Sequence, residues 1–167
     1  MIRSIKDFDF SWSHEIEATQ KILKHLTDKS LSHEVSPSVR NAGRLAWHIT
    51  MTIPEMMQRT GLTIEGPGSD APIPASAKAI FHAYNTAAIS LLEQIKAKWT
   101  DATLDVEDEM YGEKWTRGAT LTALIQHQIH HRGELIVVMR LSGLSVPGIY
   151  GPTREEWAQF GMQPPAI

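Results

Sequence analysis

Four stretches of the chain place apolar residues on one face at helical spacing. The first shows the four-three spacing of a bundle helix at Trp12, Ile16, Thr19, Leu23 and Leu26. We expect the second helix to begin between Ser38 and Asn41 and to end near residue 61. The third is predicted over about 76–99 and the fourth over about 119–141. Together they predict an all-α fold.

Proline and turn residues refine this outline. Pro54 lies within the second predicted helix and should kink or split it. A short fifth helix is predicted to begin at Pro152 or Thr153, where the following carboxylates suit a first turn. Strand signals are few, and a small hairpin around residues 111–112 is the main candidate.

The connections between helices constrain the topology. Residues 61–75 form a Pro- and Gly-rich link that, extended, reaches roughly 50 Å. A helix of about 20 residues is only about 30 Å long, so this link can cross the whole bundle. We therefore predict one domain over 1–167, a four-helix bundle in up-down-down-up order with a long crossover between helices 2 and 3. A plain up-down bundle is the alternative.

Composition excludes several classes of protein. The net charge of −3 offers no basic surface for nucleic acid. The chain has no cysteine, which excludes a thiolate metal site and fits a reducing cytoplasm. The opening MIRSIKDFDF lacks the apolar run of a signal peptide, and no apolar stretch is long enough for a membrane span. We expect a cytoplasmic protein that binds neither nucleic acid nor membrane.

Candidate chemistry lies in the fourth helix, within LTALIQHQIHHRGELIVVMRL. His127 and His131 are four residues apart, so both imidazoles point the same way and can bind one metal ion. A half-buried polar patch is the alternative interpretation. His48 favours the metal site, because it lies among apolar residues of the second helix and faces the same interior. Three neutral nitrogens also leave a fourth coordination position free, as in catalytic sites.

Other polar residues have a less defined role. Glu134 is predicted either to orient a ligand imidazole or act as a base, or to be a carboxylate on the helix surface. Arg44 and Arg132 are candidate contacts for an anion at the bundle mouth, and for Arg44 a solvated helix end is the favoured alternative. The remaining histidines lack a partner at ligand spacing, and we expect them at the surface: His14, His25, His33 and His82, with His130 outside the ligand set. Neither Glu-x-x-His nor HExxH occurs in the chain.

The segments LAWHIT, HQIHHRGEL and RLSGLSVPGIYGPTREEW resemble those of the DinB/YfiT-like superfamily of small bacterial metalloproteins. The resemblance extends from the first helix to Trp157. It implies metal ligation by His48, His127 and His131, an up-down-down-up bundle, and frequent dimerisation. Members are linked to transfer and isomerase reactions that use low-molecular-weight thiols, and to metal-dependent hydrolysis. Many relatives carry Gln where this chain has Glu134, which leaves the role of this residue open.

These observations lead to one main hypothesis and three alternatives. The main hypothesis is an enzyme with one divalent ion, such as zinc, nickel or iron, on three histidines. It acts on a small-molecule substrate and uses an external thiol as an S-transferase. The alternatives are a metal-dependent hydrolase, a non-catalytic bundle that binds metal or small molecules, and a structural dimer with hydrogen-bonded histidines. The aliphatic stretch ELIVVMRLS also predicts a homodimer.

Overall fold

The computed structural model describes residues 2–166, which are mostly helical. The five α-helices are α1 (Ile5–Leu23), the short α2 (Asp28–Leu31), α3 (Ala42–Gln58), α4 (Ala77–Lys98) and α5 (Arg117–Leu141). Two strands form an antiparallel hairpin, β1 (Glu107–Met110) and β2 (Glu113–Thr116), and 3₁₀ turns cover Asp101–Asp105 and Trp157–Phe160. The all-α fold class is confirmed. The single domain over 1–167 stays a prediction, and its two terminal residues lie outside the described residues.

Capping side chains explain where the four long helices begin. Ser4, Asn41, Ser76 and Thr116 each accept a hydrogen bond from a backbone N–H in the first turn of their helix. The predicted start of the second long helix at 38–41 is therefore confirmed. Of the two outcomes predicted for Pro54, the split is wrong, because α3 continues through it to Gln58, and the kink stays a prediction.

The hairpin before α5 lies where the sequence predicted it, around residues 111–112. Tyr111 and Gly112 form its two-residue turn, with φ angles of 55° and 87°. Two positive φ values match the twist of paired strands, and the second is readily adopted by glycine. The short helix predicted to begin at 152 or 153 starts later, as the 3₁₀ helix Trp157–Phe160, so its predicted start is wrong. The Glu156 carboxylate there accepts the backbone N–H groups of Gly148 and Thr153 and closes a turn.

The four long helices pack in a ring, in which α1 and α3 each contact both α4 and α5. Asp9 pairs with Lys96, and Gln20 with Asn85, so α1 and α4 run in opposite directions. The up-down-down-up order stays a prediction, and these pairs are compatible with it. Within residues 2–166, no helix combines the length and apolarity that crossing a membrane requires.

One ion pair lies inside the bundle, between α1 and α5. Arg132 is 2% exposed, and its Nη1 lies 2.6 Å from Glu15 Oε2. The guanidinium also donates to Thr19 Oγ1 at 3.1 Å and to the hydroxyl of Tyr150 at 3.2 Å, and that hydroxyl donates to Glu15. The expectation that Arg132 contacts an anion at the bundle mouth is therefore wrong. Its charge is already neutralised in the core.

This buried pair predicts a large stability difference between two arginine variants. Arg132→Met should lower the free energy of unfolding by about 3–5 kcal/mol, because it leaves the Glu15 carboxylate buried without its cation. Arg140→Met removes the exposed pair with Glu155 and should cost at most about 1 kcal/mol. Urea unfolding of both variants measures the difference. Equal losses of unfolding free energy in the two variants would contradict a tightly coupled, buried pair of Arg132 and Glu15.

Candidate metal centre

Three imidazoles converge where α3 packs against α5. His48 lies on α3, and His127 and His131 lie one turn apart on α5; all three are half-buried. The Nε2 atom of His48 is 3.1 Å from Nε2 of His127 and 3.2 Å from Nε2 of His131. The structure thus brings together the three histidines that the sequence singled out.

Hydrogen bonding alone does not satisfy this arrangement. An imidazole nitrogen carries either one proton or one lone pair, so Nε2 of His48 makes one good hydrogen bond with a neighbouring ring. It nevertheless has two nitrogen neighbours at hydrogen-bond distance. In a tetrahedral site with metal–nitrogen bonds of 2.0–2.1 Å, ligand nitrogens are about 3.3 Å apart. The observed spacing suits three lone pairs directed at one cation, and the triad is compatible with metal binding.

Glu134 fixes the orientation of one of these rings. Its Oε2 atom accepts a hydrogen bond from Nδ1–H of His131 at 2.7 Å, and Oε1 lies 3.4 Å from Nε2 of the exposed His130. Since an ionised carboxylate only accepts, the proton of neutral His131 belongs on Nδ1 and the Nε2 lone pair faces the other two rings. This hydrogen bond lowers the pKa of Glu134, with a further contribution from nearby positive charge.

A neighbouring amide holds the two helices in register. Gln128 is fully buried, and its Nε2 donates to the backbone carbonyl of Ile49 at 2.9 Å. This bond joins the residue after His127 to the residue after His48, so it fixes the height of α5 against α3 at the site. Gln128 was not among the residues predicted for the site, although a glutamine next to a candidate ligand is a usable signal.

The electrostatics of the site favour neutral imidazoles. Burial is the main cause that lowers the pKa of His48 from 6.5 to about 4, and the charges of His131, Arg40 and Arg44 add to it. Burial likewise lowers the pKa of His127 to about 4, with contributions from the other histidines and Arg40. Both side chains are therefore neutral at pH 7, which is the form that binds a metal ion.

Open space adjoins the triad on two sides. A cleft of about 510 Å³, here called the apolar cleft, lies beside His131 and Glu134, between loop residues 38–40 and the last two turns of α5. On the other side, His48 and Arg44 line a more polar groove of about 370 Å³ against residues 69–73 of the crossover. Small molecules can approach the site from both directions. The sequence analysis considered Arg44 but missed Arg40, which lies at the edge of the cleft.

The other histidines are at the surface, as expected: His14, His25, His33, His82 and His130. None of the first four belongs to a cluster of candidate metal ligands within residues 2–166. His130 lies 3.4 Å from Glu134 and groups with His131 and Glu134 rather than with His48 and His127, and 67% of its side chain is exposed. The set at the centre is thus His48, His127 and His131, with Glu134 behind His131.

Comparison with known proteins gives a consistent classification. An uncharacterized protein of Bacillus subtilis (strain 168), YrdA, is 43% identical over the full length of both chains. The crystal structure of a DinB-like protein from Bacillus cereus ATCC 10987 is also 43% identical, with a TM-score of 0.86 over 90% of this chain and all of that one. A DinB-like protein from Bacillus subtilis shares the fold at 18% identity, with a TM-score of 0.67 over 88% of this chain and 99% of that one. The model of the DinB family matches residues 1–165, and the chain belongs to this family.

Proposed function

We propose that the protein is a metal-dependent enzyme that binds one divalent ion through His48, His127 and His131. The observation that carries the proposal is the approach of two ring nitrogens to the same Nε2 atom of His48, at 3.1 and 3.2 Å. A shared cation satisfies all three nitrogens, whereas one proton does not. The donor set of three neutral nitrogens suits zinc, nickel or iron, and protein ligands fill three positions only.

The residues around the triad prepare it for such chemistry. A divalent ion held there supplies Lewis acidity, which lowers the pKa of a water or thiol that binds it. Glu134 keeps His131 in the tautomer whose Nε2 lone pair faces the centre. Gln128 maintains the spacing of α3 and α5, and Arg40 and Arg44 add positive charge that stabilises anions near the site.

A thiol-dependent transfer reaction is the specific activity we propose. The chain has no cysteine, so a reactive thiolate must come from an external small molecule. Access from both the apolar cleft and the polar groove gives room for a thiol and an electrophile on different sides of the triad. Metal-dependent hydrolysis is the alternative reaction, and a non-catalytic bundle that binds metal or small molecules is the alternative to an enzyme.

Metal content tests the ligand set. Protein purified without chelator and without a histidine tag should carry about one divalent ion per chain. His48→Ala, His127→Ala and His131→Ala should each remove most of it, because two imidazoles hold the ion poorly. The matched controls His14→Ala and His82→Ala change exposed side chains and should retain it. Elemental analysis measures the metal content per chain. Full retention of the metal ion in His127→Ala would contradict the assignment of His127 as a ligand.

The depressed pKa values predict how stability depends on pH. Between pH 6.5 and about 4, the unfolded chain takes up protons at His48 and His127, while the folded metal-free protein does not. Because the unfolded state binds more protons, the free energy of unfolding falls as pH falls through this window. Allowing for partial exposure, each imidazole should contribute about 1–2 kcal/mol. Urea unfolding of chelator-treated protein should show a shallower pH dependence for His127→Ala than for wild type and His82→Ala. Parallel curves would refute the burial argument.

Turnover tests the reaction. A model electrophile is offered with bacillithiol, mycothiol, glutathione or coenzyme A to the metal-loaded protein, and consumption of the thiol is measured. We expect turnover with one thiol and its loss in His131→Ala. Glu134→Gln, which keeps a hydrogen-bond acceptor but removes the charge, should lower metal affinity or activity about tenfold, whereas Glu17→Gln should have no effect. If no thiol reacts or binds, hydrolysis or simple binding replaces the transfer reaction.

The homodimer also stays a prediction, and an exposed part of α5 supports it. Ile129 is 39% exposed, and one turn later Gly133 has open space where a Cβ would lie. A second copy can approach closely at this position. Light scattering at micromolar concentration should report twice the chain mass of 18.7 kDa. Ile129→Asp should lower the measured mass towards that of one chain. A monomeric wild-type protein would contradict the predicted homodimer.

A further inference from the structure

The apolar cleft has walls of two chemical kinds. Its apolar side chains come from the loop before α3, from α3 itself and from the end of α5: Val39, Leu45, Val137, Val138 and Leu141. Its polar side chains include Arg40, together with His131 and Glu134 of the metal centre. The volume of about 510 Å³ lies within the range of small-molecule sites, which are mostly apolar with few polar groups.

Three of the apolar side chains are unusually open to solvent. Val39 is 45% exposed, Val137 is 56% exposed and Leu141 is 65% exposed. They face one another across the cleft from two different elements, so a hydrocarbon body between them would remove apolar surface from water on both sides. Leu45 and Val138 are buried below them and form an apolar floor.

Among the described residues that line the cleft, Arg40 is the only arginine or lysine. Within residues 2–166, it makes no ion pair with a carboxylate, although Glu134 lines the same cleft. Glu134 instead accepts hydrogen bonds from histidine, and it offers no donor to a ligand. The guanidinium of Arg40 therefore remains available, with a fork of N–H donors that matches a carboxylate or phosphate.

We infer that the apolar cleft binds the hydrocarbon body of an anionic small molecule, whose negative group contacts Arg40. The inference rests on the proposed function, since it assigns a substrate class to the same site. It makes Arg40 a specificity residue: an anionic ligand gains a charge-assisted contact that its neutral analogue lacks. The metal ion is not needed for this contact, so binding and metal content are separable.

Binding of octanoate, octanol and acetate to the full chain tests the inference, with and without metal. We expect octanoate to bind more tightly than either control compound and to shift the NMR methyl signals of Val137 and Leu141. Arg40→Gln should weaken octanoate about tenfold and leave octanol unchanged, since it removes a charge-assisted hydrogen bond that only the carboxylate can accept. Arg154→Gln, which removes an exposed charge that does not line the cleft, should change neither. Val137→Asp places a carboxylate on an exposed wall and should abolish octanoate binding.

The outcomes separate this inference from the metal proposal. Octanoate binding that depends on Arg40 in a protein that holds no metal would support the cleft and refute the metal centre. Octanoate binding only with metal, and unaffected by Arg40→Gln, would place the anion at the ion and overturn the inference. Equal affinity for octanoate and octanol would also overturn it. A change in mass by light scattering in Val137→Asp, without octanoate binding to wild type, would assign the cleft to a second copy of the chain instead.

Discussion

The close approach of three imidazole nitrogens depends on how α5 is held. Two of the three histidines are on α5 and one is on α3, so a small rotation or shift of α5 would separate nitrogens that lie 3.1 and 3.2 Å apart. Contacts on two sides of α5 prevent this. Gln128 binds the backbone of α3 beside the site, and Arg132 binds Glu15 of α1. A site of this kind works when supporting residues fix its ligands within a fraction of an ångström.

This support explains why α5 carries so many polar residues that point inward. Consecutive positions of the helix face different neighbours, because each residue turns it by about 100°. His127 and His131 face α3, Gln128 meets the carbonyl of Ile49, and Arg132 meets α1. A buried polar group costs free energy unless it is paired. Gln128 Nε2 and the Arg132 guanidinium are paired within the bundle, whereas His127 Nδ1 and Gln128 Oε1 are buried and find no hydrogen-bond partner among the described residues. The apolar contacts that remain on α5, such as Leu121, Leu124 and Leu135, hold it in the core.

The sequence could predict what local patterns determine. The four long helices, the caps near Asn41 and Ser76 and the turn at Tyr111 follow from periodicity and turn chemistry over a few residues. The convergence of His48 with the α5 pair was predictable because all three lie on inward faces. The pairing of Arg132 with Glu15 was not, because it joins residues 117 positions apart and an inward arginine has no local signature. The continuity of α3 through Pro54 was not predictable for a related reason, because the packing of α3 against α4 and α5 has no local signature.

Arg40 shows the same limit for the surroundings of the site. It lies outside any helix, so periodicity assigns it no face, and only the packing of its loop against α5 brings it beside His131. Local sequence patterns therefore predict the three histidines, but they do not predict the neighbouring cleft. The triad needs three imidazoles and two fixed helices, while the cleft depends on the loop at 38–40 and exposed side chains such as Val137. Substitutions in the cleft can change its lining without disturbing Gln128 or Arg132, which hold the three histidines in place. In such a fold the lining of a cleft can vary while the helices that position the triad stay unchanged.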